Sequence, residues 1–170
     1  MCGIAPVQWT RVRHRPELRV ALSGSARNAT QGALLFVDLD RFKQINDDHG
    51  HAAGDVVLKA VAVRMLRAVR GNDTVARIGG DEFIVLLPVI AHNADSETVA
   101  RKLLRALCEP VRVGGFEVTV SASIGTVEFC DQSDTAEGLI AWADQAMSLA
   151  KRDGRSTMRA ALDGPGGGAL

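Results

Sequence analysis

Residues 79–82 place two glycines directly before two carboxylates, Asp81 and Glu82, with apolar runs typical of strands on both sides. A turn with two glycines is common in β-hairpins, so a hairpin is expected over residues 74–87. This turn also presents paired acids beside a backbone without side chains. Such a place can bind a metal ion together with a phosphate group.

Another acid ends a second predicted strand. Residues 33–38 form a continuous apolar run that ends in Asp38, a pattern typical of a buried strand. If this strand is a neighbour of the hairpin, the carboxylates of Asp38 and Asp81 converge, and two hard oxygen ligands suit Mg²⁺. Gly79 and Gly80 would then let a nucleotide approach the backbone closely.

Cationic side chains occur where they could hold phosphates: Lys43 near the first turn of a predicted helix, and Lys151 and Arg155 at the end of another. Each of these residues also has a simpler interpretation. Lys151 and Arg155 could be surface cations that complement a helix dipole, and Asp38 alone could be a turn residue. Asp40 is most simply the N-cap of the short helix that follows. Only their joint occurrence favours a nucleotide site.

Composition restricts the class of protein. The chain has 170 residues, enough for one domain with a real core, and its 20 basic and 20 acidic residues give a net charge of zero. This balance argues against a protein that coats nucleic acid or an anionic membrane through bulk charge, and no direct membrane insertion is expected. The cysteines at 2, 108 and 130 lack metal-ligand spacing, and no signal peptide or bilayer-length apolar run is visible. A soluble, cytoplasmic protein is expected.

Hydrophobic periodicity predicts a β-α-α-β-β-α-β order. Helices are expected over residues 16–28, 40–47, 52–70, 97–108 and 136–152. Residues 111–129 are typical of a hairpin that turns at Gly114 and Gly115, followed by a further strand. The order favours a central, largely antiparallel sheet with helices packed on it.

The chain resembles the GGDEF domain family of diguanylate cyclases over residues 15–159. Five blocks occur in the family's order, namely FVDLDRFKQIND (36–47), HGHAAGDVVL (49–58), GGDEF (79–83), SASIGT (121–126) and AKRDGR (150–155). The resemblance implies a palm-type α+β fold of the nucleotide-cyclase kind, with a five-stranded sheet. It divides the chain into a degenerate lead-in (1–15), a catalytic domain (16–160) and a flexible Gly-rich tail (161–170).

The resemblance also implies roles for individual residues. Asp38, Asp81 and the backbone carbonyl of Leu39 would bind Mg²⁺ or Mn²⁺. Asp81 would accept the proton of the attacking hydroxyl, Glu82 would help to position metal or phosphate, and Lys43 would contact the triphosphate. Substrate contacts would come from Phe42, Asn46, His51, Asp55, Gly79, Gly80, Lys151 and Arg155.

Recognition of guanine has a physical reason within this set. Asn46 and Asp55 would bond the guanine edge, whose N1–H and N2–H₂ donors match a carboxylate, whereas adenine lacks them. His51 stays open between a substrate contact and a structural histidine.

The reaction implied is the condensation of two GTP molecules into cyclic di-GMP with release of pyrophosphate. Each domain would bind one GTP, so turnover would need a homodimer, normally brought together by an upstream sensor or receiver domain. Arg70 and Asp73 form an RxxD element that, in the family, marks a product-inhibition site. Arg101 resembles a secondary arginine of such sites, although a solvated helix arginine would look the same.

Residues 7–15 (VQWTRVRHR) depart from the family pattern Asp-x-Leu-Thr-Gly-Leu-x-Asn-Arg, and only Thr10 and Arg15 match it. This departure leaves a second hypothesis open: a catalytically weak or inactive module that binds GTP or cyclic di-GMP and signals by contact. A third hypothesis, an adenylyl-cyclase-like or polymerase-like palm enzyme, shares the metal chemistry. It is disfavoured by Asn46, Asp55 and the five ordered blocks.

Overall fold

The computed structural model describes residues 31–130 and 135–161. None of the helices in these ranges is both long and apolar enough to cross a bilayer. In chain order the elements are β1 (Gln31–Asp40), α1 (Phe42–His49), α2 (His51–Ala68), β2 (Thr74–Arg77), β3 (Glu82–Ile90), α3 (Ala94–Leu107), β4 (Val111–Val113), β5 (Phe116–Val118), β6 (Ser121–Phe129), α4 (Ala136–Arg152) and β7 (Met158–Ala160).

Five of the strands form one sheet in the order β2-β3-β1-β6-β7, and β4 and β5 form a separate hairpin. The central strand β1 pairs antiparallel with both β3 and β6, and β2 pairs antiparallel with β3. Only β7 runs parallel to its neighbour, β6. The predicted five-stranded, largely antiparallel sheet with flanking helices is confirmed, and the parallel pair at its edge makes it a mixed sheet.

The central strand separates two apolar cores because successive side chains of a strand point to opposite faces of the sheet. Val37 and Leu39 belong to the core covered by α1, α2 and α3. Leu34 and Phe36 belong to the core covered by α4. By the same alternation Asp38 and Asp40, at the end of β1, lie on the face of the sheet that α4 covers. That face therefore becomes polar where the strand ends.

Helix α4 contacts the sheet backbone directly at Gly125. A Cβ atom at this position would lie 1.9 Å from the carbonyl oxygen of Ala143 and 2.4 Å from the backbone nitrogen of Met147. No side chain fits between β6 and α4 here, so the contact fixes the height and register of α4 on the sheet.

Most of the predicted elements are confirmed, including both hairpins and the helices at 52–70, 97–108 and 136–152, with small shifts at their ends. The strand β7 is not indicated by the sequence, because three residues are too few for a recognisable period. The predicted helix at 16–28, the lead-in 1–15 and residues 162–170 of the predicted tail lie outside the described residues.

Asp40 is not the N-cap of α1, so the simplest sequence interpretation of this residue was wrong. Helix α1 begins at Phe42, and its N-cap position is Arg41, whose φ of 56° lies in the left-handed region. Asp40 is instead the buried last residue of β1, and its carboxylate accepts hydrogen bonds from the hydroxyls of Ser121 and Ser123 on β6. A rule for local capping cannot detect partners on a neighbouring strand.

Candidate functional site

The ends of β1 and β3 bring the predicted acidic residues together. Asp38 lies opposite Glu82 in the β1–β3 register, and the backbone N–H of Leu39 donates to the backbone oxygen of Asp81 at 3.1 Å. Because the N–H and C=O of one strand residue point to the same side, the Leu39 carbonyl also faces the turn that carries Asp81. The expected convergence of the two strands is confirmed.

Asp38 forms an ion pair with Lys151 from the end of α4. Lys151 Nζ lies 2.8 Å from Asp38 Oδ2, and the Asp38 side chain is 9% exposed. Burial raises the pKa of Asp38 above its ordinary value; the hydrogen bond and charge of Lys151 oppose this shift, and the carboxylates of Asp81 and Asp40 add to it. Lys151 is therefore not a free surface cation, and it balances only part of the negative charge at this site.

Glu82 extends the acidic cluster toward α4. Its pKa is raised by partial burial and by the negative charges of Asp38, Asp81 and Asp144. Asp144, an exposed residue of α4, had no predicted role, because its relation to Glu82 arises only from the packing of α4 on the sheet. These carboxylates form a region in which an added cation would be favoured.

The two glycines of the turn have different surroundings. A Cβ atom at Gly79 would lie 2.4 Å from Glu82 Oε2, so Gly79 leaves room for the Glu82 carboxylate. A Cβ at Gly80 would meet nothing within 4 Å. The fold itself therefore gives no reason for glycine at position 80, and the open space in front of it is where a ligand could approach the backbone.

Arg77 holds this turn, a role that no sequence pattern indicated. Its Nε donates to the carbonyl oxygens of Gly79 at 3.0 Å and Gly80 at 3.2 Å, and its Nη2 donates to that of Gly80 at 2.7 Å. Backbone carbonyls carry no side-chain pattern, so only the structure could identify these acceptors. The guanidinium orients both peptide groups of the turn that precedes Asp81.

Helices α1 and α2 bring the side chain of Asn46 onto the residue that precedes Asp55, the other predicted guanine-edge residue. A Cβ at Gly54 would lie 1.9 Å from Asn46 Oδ1, so the Asn46 side chain packs directly on this position of α2, next to the exposed Asp55. Phe42 is buried below them. Lys43 and His51 are exposed, and the exposure of His51 does not fit a buried structural histidine.

Arg155 lies in the turn between α4 and β7. It is exposed, its φ of 67° is left-handed, and its backbone N–H donates to the carbonyl of Ala150 at 3.2 Å. The turn follows directly after the helix that carries Lys151, so both predicted phosphate contacts depend on the position of α4.

The predicted product-inhibition residues lie away from the acidic cluster. Arg70 and Asp73 form one tight turn between α2 and β2, in which each backbone N–H bonds the other residue at 2.8 and 3.0 Å. Backbone N–H bonds from Ala91 and His92 lower the pKa of Asp95 at the start of α3, and the charges of His92 and Arg70 add to this shift. Arg101 is exposed on α3, where it pairs with Glu97.

The predicted metal ligands lie at the ends of β1 and β3. Within the two described ranges, no group of three or more His, Cys, Asp or Glu side chains could hold a metal ion. The predicted set has only two such side chains, Asp38 and Asp81, and its third ligand is the backbone carbonyl of Leu39. These are hard oxygen donors, and burial, with a smaller contribution from the charges of Asp81 and Asp40, raises the pKa of Asp38 in spite of its ion pair. This donor set fits a divalent cation of the Mg²⁺ type.

The pKa of Asp38 predicts how stability depends on pH. The folded chain binds the Asp38 proton more tightly than the unfolded chain, so the free energy of unfolding should fall as the pH rises from the ordinary value of 3.8 through the raised pKa. We expect Asp38→Asn to weaken this fall in metal-free urea unfolding, whereas Asp48→Asn, at an exposed position of α1, should leave it unchanged. Equal pH dependence in the wild type and Asp38→Asn would contradict the prediction.

Comparisons with known proteins show which proteins this chain is similar to. A family model described as "Diguanylate cyclase, GGDEF domain" matches residues 9–157. The diguanylate cyclase TpbB of Pseudomonas aeruginosa is 43% identical over 142 residues, which are 83% of this chain and 33% of TpbB. The chain thus spans about a third of that relative's length.

Solved structures give the same result. A TpbB variant from Pseudomonas aeruginosa that comprises only the GGDEF domain superposes with a TM-score of 0.82 at 42% identity, covering 85% of each chain. The GGDEF domain of DgcB from Caulobacter crescentus, in complex with c-di-GMP, gives a TM-score of 0.79 at 26% identity, covering 86% of this chain and 87% of the other.

Proposed function

Because the chain belongs to the GGDEF domain family of diguanylate cyclases, we propose that it condenses two molecules of GTP into cyclic di-GMP and releases two molecules of pyrophosphate. The observation that carries this proposal is the acidic cluster at the ends of β1 and β3, where Asp38 lies opposite Glu82 and pairs with Lys151. The complex of the DgcB domain with c-di-GMP supports the choice of product.

In the proposed site, α1 and α2 hold the base and the end of α4 holds the phosphates. Asn46 and Asp55 bond the guanine edge above Phe42, and Lys43, Lys151 and Arg155 contact the triphosphate, which passes the open face of Gly80. His51 adds a further contact on the same side. Discrimination against ATP follows, because adenine would leave the Asp55 carboxylate without its donors.

The reaction forms a bond from the 3′ oxygen of one nucleotide to the α-phosphorus of the other and breaks the bond to the leaving pyrophosphate. Asp81 accepts the proton of the attacking hydroxyl, and Glu82 orients the reacting phosphate region. Asp38, Asp81 and the Leu39 carbonyl would hold Mg²⁺ or Mn²⁺. When bound, the metal lowers the pKa of the hydroxyl and offsets the charge of the phosphoryl oxygens. The chain itself supplies position and electrostatics.

Residues 16–160 form the catalytic unit in this proposal, and two such units act face to face in the cytoplasm. An upstream sensor or receiver domain would set how often they meet. The turn of Arg70 and Asp73, with Arg101, would bind cyclic di-GMP and inhibit the enzyme, since arginine can pair with a guanine N7/O6 edge and aspartate with its donor edge.

The test is formation of cyclic di-GMP from GTP and Mg²⁺ over a range of protein concentrations, with any co-purified product removed first. We expect the rate to rise more steeply than linearly with protein, because two domains must meet, and to vanish in Asp81→Ala. ATP should neither react nor compete. Added cyclic di-GMP should inhibit the wild type and not Arg70→Ala.

The same assay separates the competing hypotheses. If a fusion to a constitutive dimerisation domain gives no product while GTP still binds, the chain is a nucleotide-binding module rather than a cyclase. Turnover of ATP would instead favour a palm enzyme with a different base preference.

A further inference from the structure

Asp40 is a buried carboxylate that the proposed reaction does not use. The residue is 6% exposed at the end of β1, and three donors bind its side chain. Its Oδ1 accepts from the hydroxyl of Ser123 at 2.7 Å; its Oδ2 accepts from the hydroxyl of Ser121 at 2.7 Å and from the backbone N–H of Ser156 at 3.0 Å. Charge-assisted bonds of this kind are among the strongest in proteins.

The three bonds join segments that are far apart in the chain. Ser121 and Ser123 begin β6, and Ser121 lies directly opposite Asp40 in the β1–β6 register, so these two bonds lie within the sheet. The bond to Ser156 instead leaves the sheet and reaches the turn between α4 and β7. Asp40 thus attaches that turn to the end of β1.

The attached turn needs an external partner to keep its shape. Gly154, Arg155 and Ser156 are three successive residues with positive φ, of 111°, 67° and 50°. Glycine adopts such angles freely, but arginine and serine do so only when their surroundings hold them there. The bond from the Ser156 N–H to Asp40 is one such restraint, and it lies next to Arg155.

The other side of Asp40 leads to the second group of cations. Arg41 follows it in the left-handed conformation, and α1 begins at Phe42 with Lys43 in its first turn. Asp40 therefore lies at the end of β1 just before the helix that carries Lys43, and its carboxylate also binds the turn that carries Arg155. These two cations are two of the three predicted triphosphate contacts, and the third is Lys151.

We propose that Asp40 is a positioning residue, which holds the turn of Arg155 through the Ser156 N–H so that the guanidinium meets the β- and γ-phosphates of GTP. This inference rests on the proposed function. Asp40 touches no substrate in this arrangement and acts through Arg155. A merely structural role in the sheet would affect all ligands and stability alike.

The test is calorimetric binding of GTP and of GMP to Asp40→Asn, with the metal concentration fixed. An asparagine keeps one acceptor oxygen and turns an amide donor toward the remaining donors. We expect GTP affinity to fall about tenfold, as for loss of one charge-assisted contact, while GMP affinity stays unchanged. Amide hydrogen exchange at Ser156 should accelerate in the variant even without nucleotide.

A double-mutant cycle shows whether Asp40 acts through the arginine. If it does, Asp40→Asn combined with Arg155→Ala binds GTP no more weakly than Arg155→Ala alone. Additive losses, or an equal loss for GTP and GMP, would overturn the proposal. If Asp40→Asn does not fold, Asp40→Glu keeps the charge but moves the carboxylate by one methylene group away from the Ser156 N–H. It should show the same loss confined to GTP, and equal losses for GTP and GMP would again overturn the positioning role.

The outcomes also separate this inference from the proposed function. A wild-type chain that binds no GTP would overturn both. Normal binding by the wild type, with unchanged GTP affinity and unchanged exchange at Ser156 in Asp40→Asn, would overturn the positioning role alone.

Discussion

Replacing Asp38 with asparagine is expected to lower the rate of cyclic di-GMP formation by on the order of a hundredfold or more, because Asp38 is a metal ligand in the proposed site and such a ligand contributes several kcal/mol of transition-state stabilisation. The variant should nevertheless fold at least as stably as the wild type. Burial raises the pKa of Asp38, which means that the folded chain holds the ionised carboxylate at a cost. An amide of the same shape avoids that cost, and the Lys151 partner it leaves is one-third exposed.

Initial rates at saturating and limiting GTP, together with melting temperatures, check this prediction. Asp48→Asn makes the same chemical change at an exposed position of α1 and serves as the matched control. Loss of activity with an equally large loss of stability would mean that Asp38 is a structural residue. Retained activity would remove Asp38 from the metal site altogether.

Alanine at Gly79 and alanine at Gly80 should both abolish most activity, but for different reasons. At Gly79 the new Cβ would lie 2.4 Å from Glu82 Oε2, so the carboxylate must move. Displacement of a catalytic group by about 1 Å can cost on the order of a hundredfold in rate. At Gly80 nothing lies within 4 Å, so the fold tolerates the methyl group and only an approaching nucleotide would meet it.

The two variants are distinguished by stability and by kinetic parameters. We expect Gly80→Ala to melt like the wild type and to raise KM for GTP, and Gly79→Ala to lower kcat with a smaller change in KM. Neither glycine has a positive φ, so backbone strain does not complicate the comparison. A fully active Gly80→Ala enzyme would show that no substrate passes this face of the turn.

The sequence predicted the parts of the fold that depend on local pattern. Periodicity was sufficient for the long helices and for the hairpin of β2 and β3. The pairing of β1 with that hairpin was only the condition under which Asp38 and Asp81 would converge, and the structure meets this condition. The short parallel strand β7 was not foreseeable, because its three residues depend on β6 for pairing.

The parts of the site that escaped prediction depend on distant or backbone partners. Asp40 was interpreted as a helix cap because it directly precedes a helical pattern. Its actual donors are 81 to 116 residues away in the chain, so no local pattern could indicate them. Arg77 gave no signal because it binds carbonyl groups of its own turn. The ion pair of Lys151 with Asp38 was likewise not predicted, because the sequence indicated only a possible phosphate contact and a possible metal ligand.

The contact of Gly125 with α4 has a consequence for how the proposed cyclase would be controlled. Strand and helix meet backbone to backbone, without side chains that could rearrange between them, so α4 cannot slide or lift while the sheet stays intact. Lys151 and the turn of Arg155 are therefore attached to a helix whose position on the sheet is rigid. In the proposed cyclase each domain therefore has its phosphate contacts in place before the two domains form a dimer. Input signals would then control how often two domains meet and in which orientation. The internal structure of each domain would stay constant.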